Sequence, residues 1–163
     1  MREFTGALKY LVYVLAISMV CYTIASIFTP MDPWKFRATH LTFALVIVFL
    51  KIPARKNHEY RYKDRPTVID ALLIAMSIAV LVYLRVEFKT LIYRGVALPA
   101  SMDMVIGVLL IIVVLESSRR AAGLAFMIVA LTALLYTFAG QFLPGIFGHR
   151  GYSITRTVSH VFS

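Results

Sequence analysis

Five long apolar runs, separated by short polar stretches, set the pattern of this chain. The first, Lys9–Thr29, gives way to "TPMDPW", where Pro30 and Pro33 forbid helix continuation. The second spans about Phe36–Ile52, with Arg37 and His40 at its entry and Pro53 just past its end. The third is Val68–Val86, the fourth Met102–Leu115, and the fifth Ala121–Leu143, stopped by Pro144 and Gly145. A spanning helix needs roughly 20 mostly apolar residues, so each run predicts a membrane helix. The fourth is short: its unbroken stretch, Met104 to Leu115, makes only about 18 Å of helix at about 1.5 Å per residue. Capped by Ser101 and carried to Ser118, it reaches about 27 Å. A re-entrant half-helix is the alternative.

Composition agrees with the pattern. The 163 residues are 60% hydrophobic and 15% charged, with a mean hydropathy of +0.80, against about 25% charged in an ordinary soluble domain. The expected class is an all-α integral membrane protein. The first run is too long for a cleaved signal core and predicts a retained helix. The single Cys21 excludes an intrachain disulfide and a cysteine-based metal site.

Lys and Arg outnumber Asp and Glu by 17 to 8. The excess sits between apolar runs and is not interleaved with stacking aromatics. It therefore argues for anionic lipid and against nucleic acid. With a cytoplasmic amino terminus, the inner side holds Arg2, Lys9, Lys51, Arg55, Lys56, Arg61, Lys63, Arg65, Arg119 and Arg120. The outer side holds Lys35, Arg37, Arg85, Lys89, Arg94, Arg150 and Arg156. Most of the inner set lies in one short loop, "KIPARKNHEYRYKDR", the kind that orients a membrane protein. The preferred topology is amino terminus inside and carboxyl terminus outside.

That topology makes "LESSRRAAG", residues 115–123, a cytoplasmic turn between the fourth and fifth spans. Its arginines anchor both helix ends, and Glu116 stands three and four residues before Arg119 and Arg120, a spacing that permits local pairing. Asp70 follows Thr67 by three residues, as in a capping box. A proton or cation site is the alternative for Asp70, because ionisable groups in membrane helices are functional candidates. Asp103, in the first turn after Ser101, carries the same capping argument. Ala71, Ala75 and Ala79 recur every fourth residue and form a candidate packing face. No protease, hydrolase or nucleotide-binding motif occurs, so neither enzyme activity, cofactor nor metal is expected. The closing segment "HRGYSITRTVSHVFS" predicts a short amphipathic helix on the outer surface, with Ile154, Val158, Val161 and Phe162 on one face.

The stretch "DRPTVIDALLIAMSIAVLVYLRVEF" and the run from "SMDMVIGVLL" to "RTVSHVF" resemble the amino-terminal part of fused permeases of tripartite ATP-independent periplasmic (TRAP) transporters. The resemblance is clearest from about Asp64 to Phe162. Its most specific pieces are Glu116-x-x-Arg119-Arg120-x-x-Gly123 and "PGIFGHRGYS". It implies a four-helix small-permease-like domain over residues 1–120, a fifth, linker helix over 121–143, and a periplasmic amphipathic segment over 144–163. A large permease part, fused or separate, would follow Ser163 and carry the substrate site and any sodium or proton coupling. The implied role is a scaffold in a secondary transporter of the bacterial or archaeal cytoplasmic membrane, one that takes up organic acids or related solutes with a periplasmic solute-binding protein. Residues 30–37, 87–101 and 144–163 are then the expected docking loops, with Lys35, Arg85, Lys89 and Arg94 meeting an acidic partner. An autonomous small oligomeric carrier or pore is the competing expectation.

Overall fold

The computed structural model describes residues 6–54, 66–94 and 101–139. They form six helices: α1 (Ala7–Phe28), α2 (Pro33–Lys51), α3 (Val68–Val86), α4 (Phe88–Arg94), α5 (Ser101–Ala121) and α6 (Leu124–Ala139). Among the described residues there is no strand. Contacts divide the chain into two units, Met1–Val86 and Glu87–Ser163. The cation-rich loop residues 55–65 and the amphipathic segment 144–163 lie outside the described residues.

Three helices are long and apolar enough to cross a membrane: α1, α3 and α5. At about 1.5 Å per residue their 22, 19 and 21 residues measure about 33, 28 and 31 Å. Their outward faces are apolar as well: Tyr10, Val14, Ile17, Ile27 and Phe28 of α1 are exposed, as are Val68, Ile69, Leu72 and Val86 of α3. A soluble monomer rarely leaves apolar surface of this extent open to water. Lipid is the solvent these faces fit.

In the first unit, α1 and α2 run antiparallel. Tyr22 stacks on Phe36 near one end, with ring centroids 5.7 Å apart. Towards the other end Val12 and Leu50 form a buried cluster flanked by Leu8, Leu15, Val46 and Ile74. The last of these belongs to α3, which packs on α2. α2 starts at Pro33, three residues before the expected entry. Proline fits the first helical position because the amide it lacks would have had no partner there. The Asp32 side chain then accepts from the Trp34 amide at 3.0 Å, so "DPW" begins a helix instead of ending a loop.

In the second unit, α5 continues through the stretch expected to be a turn. The helix runs to Ala121, and only Ala122 and Gly123 separate it from α6. No proline or glycine interrupts residues 108–121, and the arginines of the last turn face the favourable end of the helix dipole. Gly123 has φ +96°, a left-handed conformation that a side chain would strain. The expected loops 30–37 and 87–101 are also partly helical, since α2 takes up Pro33–Arg37 and α4 takes up Phe88–Arg94.

The packing face of α3 differs from the expected one. Ala71, Ala75 and Ala79 are exposed, while Asp70, Leu73, Ser77 and Val80 are buried. Ser77 tolerates burial because its hydroxyl donates to the Leu73 carbonyl at 2.8 Å. Enlarging the two faces should therefore have unequal effects. Ser77→Leu overpacks a site only 1% exposed and should cost about 1–3 kcal/mol. Ala75→Leu should be nearly silent in thermal melts of the detergent-purified chain. Equal losses would return the packing to the alanine face.

Candidate functional site

The ionisable residues inside the apolar helices fall into separate groups. At the start of α3, Thr67 gives both its amide and its hydroxyl to Asp70 Oδ2, each at 2.8 Å. The Asp70 amide returns a longer bond to Thr67 Oγ1 at 3.4 Å. This reciprocal pair is a capping box, and it satisfies the helix start although Asp70 is fully buried. Asp103, in the first turn of α5, is also buried, at 4% exposure.

At the far end of α5, Glu116 binds both arginines. Arg119 forms a two-pronged pair, Nε to Oε2 at 2.8 Å and Nη2 to Oε1 at 2.7 Å. Arg120 Nε reaches Oε1 at 2.7 Å. The two guanidinium groups differ in setting: the Arg119 side chain is 34% exposed and that of Arg120 is 0% exposed. Only Arg119 thus suits the expected headgroup anchor; Arg120 is an interior cation. Helical spacing brings Glu116, Arg119 and Arg120 together, and Gly123 ends the same segment two residues past the helix.

A polar seam joins α1 to α2. Thr23 gives its only hydroxyl proton to the Met19 carbonyl at 2.9 Å. Its oxygen also lies 3.3 Å from His40 Nδ1, a side-chain contact across the two helices. Phe36 lies between Tyr22 and His40 in a short aromatic run. One helix further, Arg85 Nη2 donates to Thr39 Oγ1 at 2.7 Å, tying the end of α3 to the start of α2. The sequence offers little warning of this contact, because its partners are 46 residues apart.

The expected docking cations are divided between the two units. Lys35 is half-buried in the first turn of α2, Arg85 is exposed but tethered, and Lys89 is exposed on α4. Arg94 ends α4, and its side chain lies outside the described residues. No three metal-binding side chains converge among the described residues. No family model, curated protein or solved structure matches the chain.

The geometry orders the effects of substitution. Asp70→Ala should cost about 1 kcal/mol, as expected for a lost cap, and Thr67→Val should act in the same direction. Both follow from thermal melts; a variant with unchanged melting would remove the capping role. In α5, Arg119→Ala should cost no more than about 1 kcal/mol, being partly exposed. Arg120→Ala should cost clearly more, because it empties a buried position and removes a charge bound by Glu116. A reversed order in denaturant titrations would refute the distinction between surface and interior arginine.

Proposed function

We propose that this chain is the membrane scaffold portion of a TRAP-type secondary transporter. In this reading it crosses the cytoplasmic membrane five times with its amino terminus inside. It holds a large permease part, fused or separate, and that part carries the transport chemistry. A periplasmic solute-binding protein delivers organic acids or related solutes, and an ion gradient drives uptake through the large part.

The observation that carries the scaffold reading is how the chain uses its own polar groups. Thr23, Thr39, Thr42, Ser77, Thr132 and Thr137 all bond backbone carbonyls four residues back. Thr67 closes on Asp70, and Glu116 closes on its two arginines. A solute path needs polar groups turned towards one lumen and available to a passing ligand. Here they brace individual helices and their contacts, while apolar faces point outward. The resemblance of "ESSRRAAG" and "PGIFGHRGYS" to TRAP permeases adds the family. Among the expected docking cations, Lys35, Lys89 and Arg94 keep that role in this reading, whereas Arg85 is fixed in place beside Thr39.

The exposed Ala71, Ala75 and Ala79 keep an autonomous oligomer in play, because small residues in line let a second copy approach closely. Extraction from native membranes in mild detergent, followed by mass spectrometry, separates the two readings. A transporter scaffold should be recovered continuous with, or bound to, a many-helix permease. Recovery of a free 18.4 kDa chain, alone or with copies of itself, would favour the carrier or pore and overturn the scaffold.

A further inference from the structure

Arg85 stands apart from the other cations of the chain. Thr39 Oγ1 donates to the Lys35 carbonyl at 2.7 Å, so its single proton is committed and its remaining capacity is to accept. Arg85 Nη2 fills that capacity at 2.7 Å. The hydroxyl fixes the guanidinium in place but neutralises none of its charge. Thr39 itself is 9% exposed, so the fixed end of the tether lies inside the helix pair while Arg85 is exposed.

Among the described residues of the three-helix unit, no carboxylate is placed to balance it. α1 and α2 contain no Asp or Glu, and on α3 the positions three and four residues before Arg85 are Val82 and Leu81. Glu87, two residues on, lies past the end of α3 and outside the unit. Asp32 is bound to the Trp34 amide, and Asp70 caps the opposite end of α3. Lys35 and Arg37 share the Arg85 end of α2, so this end of the unit is net positive. The balancing anion has to come from outside the unit.

What surrounds Arg85 identifies its class. On α3, Val82 is 53% and Val86 is 73% exposed, and at the same end of α1 Ile27 and Phe28 are 76% and 80% exposed. A soluble acidic protein would leave these apolar side chains against water. A phospholipid satisfies both requirements, with phosphate for the cation and acyl chain for the valines. Guanidinium retains further N–H donors after the Thr39 bond, in a planar fork that suits paired phosphate oxygens.

We propose that Arg85, held by Thr39, is a binding site for the phosphate of an anionic phospholipid, whose acyl chains lie along the exposed Val82 and Val86. The site needs only that α3 sits in a bilayer and does not depend on a role in transport.

The test uses the full chain purified in a neutral detergent, with thermal unfolding followed as phosphatidylglycerol is added. The wild type should melt about 2–4 °C higher with saturating lipid. Arg85→Gln should lose the rise, and Arg37→Gln, removing an exposed cation at the same end, should keep it. Thr39→Val retains the charge but not the tether and should need several-fold more lipid for the same rise. It also serves should Arg85→Gln fail to fold. An unchanged rise in Arg85→Gln, or in Thr39→Val where Arg85→Gln does not fold, would overturn the site. So would no rise in the wild type, or an equal rise with inorganic phosphate. Capture of a soluble acidic protein through Arg85, with no response to the lipid, would assign the fork to a protein and overturn the lipid site as well.

Discussion

Hydrogen-bond closure inside apolar surroundings is the constraint on which this structure depends. Lipid offers no partner to a polar group, so the backbone must be helical and polar side chains gain by finding partners within the protein, as most described here do, the buried Tyr22 hydroxyl being an exception. The threonines and serines meet this demand by bonding the preceding helical turn, which lets Ser77 be buried and Thr132 remain exposed on an apolar helix. Charged groups meet it by pairing or capping. Asp70 is fully buried yet receives the Thr67 amide and hydroxyl, and Arg120 is buried against Glu116.

The same constraint explains which helix faces pack. Packing brings little hydrophobic gain in lipid, since the alternative solvent is equally apolar. Faces that carry polar groups have more to gain by meeting protein than faces of alanine and valine. On α3 the buried face accordingly carries Asp70 and Ser77, with Leu73 and Val80, and the alanine stripe is left outside. On α5 the buried face carries Asp103, Gly107 and Arg120, with Leu110 and Val113. The periodic alanines looked like the packing surface because small residues permit close approach; permission is weaker than the need of a carboxylate or hydroxyl to leave lipid.

How much of this could be read in advance depended on range. Hydropathy located α3 to the residue, because Pro66 and Thr67 precede it and the polar Glu87 follows it. The Thr67–Asp70 and Glu116–Arg119–Arg120 spacings were readable for the same reason, being contacts within one helical turn. α2 starts three residues before the pattern predicts, because Pro33 reads as a stop although Asp32 beside it is a capping residue. Contacts between helices were not readable at all. Arg85 with Thr39, Thr23 with His40 and Tyr22 with Phe36 depend on how the helices are set against each other, which a single sequence does not encode as a local pattern. The cation-rich stretch 55–65 and the segment 144–163 expected to be amphipathic lie outside the described residues.

The stretch "LESSRRAAG" shows how a local pattern can be read correctly in its parts and wrongly in its sum. The apolar residues Met104–Leu115 alone make about 18 Å of helix, too little to span. Treating the charged residues as a turn leaves the helix too short to span. Glu116, however, lies one turn from both arginines and pairs with each, which favours the helix through this stretch. The helix can then run on to Ala121, and α5 attains about 31 Å with its two arginines in the final turn. The polar interruption is therefore part of the span's own length. The chain turns only where Gly123 supplies a positive φ.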